Sequence, residues 1–214
     1  SGERVEITST DPGFPRDAAA WCNSTGNQLI SKEATGGKSV VVIEKGEPKS
    51  CNIVTSCEGK GKTFIMFSDD LDKALATFVL ANGAAATGQK VTIFFTFWGL
   101  NVIKKLHKPN VEKDIFGKMF GMMLPSSSRK LKLSKMSMGG IGGKMMRYIM
   151  NRKGIDSLES LRQQALENGV EFIACQMSMD VMGVKQEELL DEVTIGGVAT
   201  YMERADNANI NLFI

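Results

Sequence analysis

The chain has 214 residues, 43% hydrophobic and 23% charged, with a formal net charge of +2. These are ordinary values for a soluble globular protein of one large domain, or of a main domain plus a small one. Four cysteines exclude a disulfide scaffold at this length, and a single histidine, His107, leaves no material for a His-rich metal site or a Ser–His–Asp triad.

The charge is unevenly spread. Residues 104–153 hold 13 Lys or Arg against only Glu112 and Asp114, whereas the rest of the chain holds 13 basic and 22 acidic residues. The middle is a basic block inside an acidic protein. No signal peptide is visible, and no run of about 18 apolar residues that could span a bilayer. A cytoplasmic, reducing location is expected.

Ser1-Gly2 reads as a remnant of tag removal. Residues 3–8 alternate polar and apolar around Val5 and Ile7, a half-buried strand. Asp11-Pro12-Gly13 is turn chemistry, and Pro15 suits the first turn of a helix carrying Trp21 and Cys22 and ending at Gly26. Residues 28–33 and 38–45 read as two strands joined by a Thr35-Gly36-Gly37 hairpin. Residues 47–61, rich in Gly, Pro, Ser and Lys, read as a linker in which Cys51 and Cys57 are exposed, incidental thiols. Their Cys-x5-Cys spacing is not a standard metal pattern.

A second domain is expected over residues 62–214. Residues 63–67 read as a buried strand, and Ser68-Asp69-Asp70 as the cap of a helix with Leu71, Leu75, Phe78, Val79 and Asn82 on one face, closing at Gly88. Residues 90–97 read as another buried strand, ending in Trp98-Gly99. Near-continuous apolar strands around a helix imply a parallel sheet. In the basic block, residues 111–124 place Val111, Ile115, Met119 and Met123 at helical spacing, and residues 138–150 form a second apolar piece loosened by glycines. Between them, 125–135 is polar and basic. This stretch reads as a lid or a subunit interface; basic plus apolar residues at helical spacing also allow contact with an anionic membrane surface. Nucleic acid is not expected, because no aromatic residues interleave with the basic ones for base stacking.

A helix follows over 157–168, then the apolar run Val170 to Ala174, which stops at Cys175. A Met- and Ser-containing loop at 176–183 leads to a helix at 185–190. Residues 195–201 read as a short helix start and 209–214 as a last strand. The fold expected is α/β, a flavodoxin-like, three-layer parallel sheet preceded by a partial α+β unit. In such sheets the working crevice lies outside the carboxyl ends of the strands, where Cys175 falls. No GxGxxG and no P-loop is present, so no cofactor and no metal is expected.

Two resemblances bear on function. Thr10-Asp11-Pro12-Gly13-Phe14, Asp17, Trp21-Cys22, Thr25-Gly26-Asn27 and the closing Val-Val-Val-Ile strand resemble the second half of a TusA-like (SirA-like) sulfur-carrier domain over 3–46. That family folds as a βαβαββ sandwich with its sulfur-carrying cysteine in a Cys-Pro-x-Pro motif. The motif is absent here, and Cys22 does not match the active position. The resemblance implies a fold without a site, and a chain cut from a longer parent. The chain from Lys62 onward resembles the DsrE/DsrF/DsrH-like family of sulfur-relay proteins, in its variant with a long Met-rich insertion. The likeness rests on residues 64–70, the Ala-Ala-Ala-Thr-Gly helix end, Thr96-Phe97-Trp98-Gly99, residues 173–183 and Gly196-Gly197-Val198-Ala199-Thr200-Tyr201.

That resemblance implies that Cys175 accepts and passes on sulfur as a persulfide, with sulfur donor and acceptor proteins or small persulfides as partners, in a homo-oligomer. Sulfur transfer needs a thiolate, which the amide groups after the strand would favour. Ser68, Asp69 and Trp98, with Gln176, Ser178, Asp180, Gly196 and Gly197, are expected to line the same crevice. Whether the chain is a sulfurtransferase stays open. Cys175 can also be read as a buried core thiol, and the protein as a non-catalytic scaffold or regulatory module docking to a membrane surface or oligomer.

Overall fold

The computed structural model describes residues 2–10, 14–35, 38–46, 61–107, 109, 111, 113 and 115–214. At 16, 17, 20, 23–25, 115, 116, 118 and 120 it describes the backbone alone. The turn expected at 11–13, the hairpin glycines 36–37 and the linker with Cys51 and Cys57 lie outside the described residues. The chain divides into two compact units, Ser1–Glu58 and Gly59–Ile214.

The first unit orders its strands β1 (Arg4–Ser9), β3 (Lys38–Glu44) and β2 (Gln28–Thr35), all antiparallel, with one helix, α1 (Phe14–Thr25). Alternation along β3 turns Ser39, Val41 and Ile43 inward. Val41 and Ile43 pack on Ala18 and Cys22 of α1, with Ile7, Phe14 and Leu29 at the margin. Gly26, at φ 82°, ends α1 where the sequence suggests. Val5 is half exposed rather than a full partner of Ile7.

The second unit contains β4 (Gly61–Met66), α2 (Leu71–Ala86), β5 (Val91–Phe95), α3 (Ile115–Met123), α4 (Ile141–Arg152) and α5 (Leu158–Glu167). It continues with β6 (Glu171–Cys175), α6 (Gln176–Met182), β7 (Thr194–Gly196), α7 (Val198–Asp206) and β8 (Ala208–Phe213). The sheet is parallel throughout, in the order β7-β6-β5-β4-β8. Every residue of β5 is buried, as a central parallel strand covered on both faces requires.

Alternation along the strands sorts their side chains between two faces. Phe64, Met66, Ile93, Phe95, Phe172 and Ala174 meet Leu71, Ala74, Phe78 and Ala81 of α2 and Leu158 and Ala165 of α5. Phe78, Phe95 and Phe172 form a ring triangle with centroids 5.4 to 6.4 Å apart. Burying each ring is worth about 2–3 kcal/mol. On the other face, Phe94, Ile173 and Cys175 pack against Tyr201 of α7. Helices, sheet and helix give the three-layer α/β arrangement.

Several expectations are corrected. The buried stripe of α2 is Leu71, Ala74, Thr77, Phe78 and Ala81, while Val79 is exposed. This helix is apolar nearly all round, so small residues, which let it approach the sheet closely, decide its orientation. The strand expected to reach residue 97 stops at Phe95, and Phe97–Ile103 coils as a 3₁₀ segment. Residues 176–183, expected as a loop, form α6. Residues 185–190, expected as a helix, form only the short turn Gln186–Glu188. The helix start expected at 195–201 is strand β7 followed by α7.

Gly99 lets the 3₁₀ segment touch β4. A Cβ there would sit 1.9 Å from the Met66 carbonyl oxygen, and the Gly99 amide donates to Phe67 O at 2.9 Å. Backbone on both sides cannot yield cheaply. Gly99→Ala is expected to destabilise the second unit by about 2–4 kcal/mol. Urea unfolding followed by Trp98 fluorescence in a Trp21→Phe background measures it; a loss below about 1 kcal/mol would contradict the packing.

Candidate functional site

The site is built where β6 runs out. Phe172, Ile173 and Ala174 are buried on alternating faces, which fixes the strand and carries Cys175 to its carboxyl end. Cys175 is the residue from which α6 starts, with φ −71° and ψ 113°. It stands in register with Gly196 of β7 and is only 2% exposed. Ser178, on the inner side of α6, is fully buried and its Oγ lies 2.8 Å from Thr96 Oγ1, tying the helix to the end of β5. Gly183 ends α6 at φ 60°. A Cβ on Gly183 would lie 2.4 Å from Gly117 Cα, so the backbone of α3 passes directly against this turn.

The other expected lining residues fall along the same edge of the sheet but differ in what they face. Gln176 and Asp180 are exposed and hydrogen-bonded to each other at 2.9 Å. Ser68 donates to Asp70 at 2.7 Å within its own loop. Asp69 accepts from Asn101 Nδ2 at 2.9 Å. Burial pushes the Asp69 carboxyl above the usual carboxylate range, and the Asn101 hydrogen bond opposes the rise. Trp98 is 44% exposed. Gly196 closes β7, and Gly197 precedes α7 with open space where a Cβ would be. Cys175 and Gly196 are brought together as neighbours on adjacent strands, while Ser68 is engaged within its own loop and Asp69 with Asn101 of the 3₁₀ segment after β5.

Residues not singled out as site candidates tie α7 to the sheet, nearer the amino ends of the strands than Cys175. Tyr201 stacks on Phe94 at 5.2 Å and its hydroxyl lies 3.2 Å from Thr63 Oγ1, which donates to Asn211 Oδ1 at 2.5 Å. Arg204 donates twice to Glu171, from Nε at 2.9 Å and Nη2 at 3.1 Å, and Thr92 Oγ1 donates to the same carboxylate at 2.9 Å. These pairs join residues 33 to 148 positions apart in the chain, so no local pattern announces them.

The Arg204 hydrogen bonds hold the Glu171 carboxyl below the usual carboxylate range, against the opposing effect of burial. A depressed folded value means the stabilisation is complete above the unfolded titration, about pH 4.3, and is lost as pH falls through the folded value. The pair is about one-third exposed, so solvent screening limits it to about 1 kcal/mol. Urea unfolding of the chain and of Glu171→Gln should differ by that amount near pH 6 and converge near pH 3. An equal gap at both would remove the assignment.

The basic block is stitched onto this unit. Leu124 and Leu131 are buried in the main core, and the stretch expected to be merely polar contributes Ser134 to Asp72 at 2.5 Å and Ser128 to Glu159 at 2.9 Å. Lys113 Nζ lies 2.6 Å from Glu188 Oε2, both side chains under 10% exposed. A small polar cavity lies under the block, lined by Lys104, Lys105, Pro125, Ser126 and Glu188. Outward-facing Met119, Met122, Met123, Ile141, Met145 and Tyr148 are exposed. Among the described residues, no group of three or more His, Cys, Asp or Glu could hold a metal ion, and no helix is long and apolar enough to cross a membrane.

A family model described as the DsrE/DsrF/DrsH-like family matches residues 59–213. The chain belongs to this family. The uncharacterized protein YrkE of Bacillus subtilis is 44% identical over 155 residues, covering 72% of this chain and 97% of that protein. The sulfur carrier protein DsrE2 of Allochromatium vinosum is 38% identical over 161 residues, covering 73% of this chain and 99% of that protein. Residues 1–45 match a second model, sulfurtransferase TusA. The sulfur carrier protein TusA of Allochromatium vinosum is 38% identical over 45 residues, 21% of this chain and 59% of that one.

Proposed function

We propose that this DsrE/DsrF/DrsH-like protein is a sulfur carrier that holds sulfane sulfur as a persulfide on Cys175 and relays it between a donor and an acceptor. The observation that carries the reading is the position of Cys175, at the junction of β6 and α6. It lies in the unit related to a protein named a sulfur carrier. The Cys175 thiolate attacks the outer sulfur of a donor persulfide; the new S–S bond forms as the donor thiolate leaves. An acceptor thiolate then attacks that outer sulfur and Cys175 leaves as thiolate. The exchange is redox-neutral and needs no cofactor.

Cys22 fits the role poorly. It is buried on α1, and desolvation pushes its thiol up, against the thiolate. In this reading residues 62–214 carry the chemistry, and the TusA-like unit at 3–46, behind a linker at 47–61, contributes no carrier cysteine. Donor and acceptor are proteins or small persulfides. Polysulfide treatment should add about 32 Da at Cys175 on peptide mapping. An unmodified Cys175 beside modified Cys51 or Cys57 would overturn the reading.

The exposed Met-rich surface of α3 and α4 favours a second reading, a docking module with Cys175 incidental. An apolar stripe rimmed by exposed lysines suits a subunit contact or an anionic membrane surface. It predicts assembly or flotation with anionic liposomes that survives Cys175→Ser; a monomer that does not float would remove it.

A further inference from the structure

We infer that α7 is a gate over Cys175, held shut by Tyr201 and Arg204, and that sulfur reaches the thiol only when this helix lifts. The inference rests on the persulfide reading. A nucleophile that is 2% exposed cannot meet a donor sulfur, so part of its cover must move.

The two sides of that cover differ. The face of α2 and α5 is the main core, with five residues of α2 buried, and the basic block adds Leu124 and Leu131 to it. The opposite face, where Cys175 packs, is covered among the described residues by α7. This helix has nine residues and one buried side chain, Tyr201. Val198 and Met202 lie exposed on its outer side. Lifting it therefore uncovers the Tyr201 ring and the partly buried Ala205, whereas moving α2 would open the core.

The attachments of α7 are few and specific. Tyr201 rests on Phe94 and bonds Thr63, and Arg204 grips Glu171 through two nitrogens. The amino-terminal junction is Gly196-Gly197. A Cβ at Gly196 would crowd Ile173 at 2.8 Å and Thr200 at 3.2 Å, so the first turn of α7 lies closely over the strand that bears Cys175. Gly197, in open space, is free to change backbone angle. Tyr201 and Arg204 are thus positioning residues that set access to the thiol.

Alkylation of the full chain by iodoacetamide, with each cysteine followed separately by peptide mass spectrometry, tests this. Cys175 in the parent should react at least about a hundredfold more slowly than in the urea-unfolded chain. Tyr201→Phe and Arg204→Gln should each raise its rate about fivefold to thirtyfold. Arg204→Lys should restore part of the protection. At low urea the rate should depend on denaturant far less steeply than global unfolding does.

Ser178→Ala, which loosens α6 instead, should leave the rate within about twofold. Parent labelling as fast as in the unfolded chain, unchanged rates in both α7 variants, or acceleration by Ser178→Ala alone would overturn the gate. If Arg204→Gln does not fold, Tyr201→Phe, the loss of one hydroxyl, carries the test. Polysulfide loading is scored separately. Opened variants whose Cys175 takes no sulfur would end the persulfide reading and leave the gate standing.

Discussion

Cys175→Ser is expected to abolish sulfur loading and transfer, while the fold persists. The substitution exchanges sulfur for oxygen in a buried cluster with Phe94, Ile173 and Tyr201, a modest change in volume. The serine hydroxyl loses a weak donor's tolerance of apolar surroundings, which should cost about 1–2 kcal/mol. Chemistry suffers far more. A serine alkoxide is unavailable near neutral pH without a base to activate it, and no thiolate remains to attack the donor sulfur or to leave when the acceptor attacks. Loss should be at least about a thousandfold in any single-turnover transfer from a persulfide donor to a small thiol acceptor. Cys22→Ser, Cys51→Ser and Cys57→Ser are the comparison, and each should retain transfer within about twofold. Residual transfer by Cys175→Ser at more than a tenth of the parent rate would move the carrier elsewhere.

The apolar strands were legible because a parallel sheet buries both their faces, which leaves short apolar runs at 63–67, 170–174 and the first part of 90–97. Cys175 was legible for the same reason, since an apolar run that stops marks the sheet's carboxyl edge. The elements around it were not. Strand β7 has three residues at an edge, too few for a period. Helix α6 carries its inner side on Ser178, Met179 and Met182, a stripe that resembles a Met-rich loop until Gly183 is seen as its cap. Glu188 falls in a stretch expected as a helix, yet it is buried outside one, with its partner Lys113 in a distant insertion. Ser178, expected to line the crevice, is fully buried with its Oγ against Thr96, a partner 82 positions away. Tertiary partners decide these cases, and sequence distance hides them.

Glu188 should therefore be among the most sensitive positions outside the cysteine. Its carboxylate meets Lys113 Nζ at 2.6 Å and accepts from the Lys185 amide at 2.9 Å, and its carbonyl accepts from the Lys105 amide at 2.9 Å. One residue thus holds the start of the basic block against the segment that follows α6. Both side chains are nearly dry, 8% and 5% exposed. Glu188→Gln keeps the shape and an acceptor for Lys185 but strands the Lys113 ammonium. An uncompensated buried charge costs about 3–5 kcal/mol. Lys113→Met alone should be milder, because the remaining carboxylate keeps the Lys185 amide. The double variant should recover at least about 2 kcal/mol of the Glu188→Gln loss, since neither charge is then buried alone. Urea unfolding read by Trp98 in a Trp21→Phe background gives the cycle, and proteolysis within residues 104–153 gives its location. Faster cleavage there in Glu188→Gln, reversed in the double variant, would tie the pair to the anchoring of the block. A single-variant loss below about 1 kcal/mol would mean that the pair is wet in solution and that Leu124, Leu131, the Gly117–Gly183 contact and the Ser128 and Ser134 hydrogen bonds suffice to hold the block.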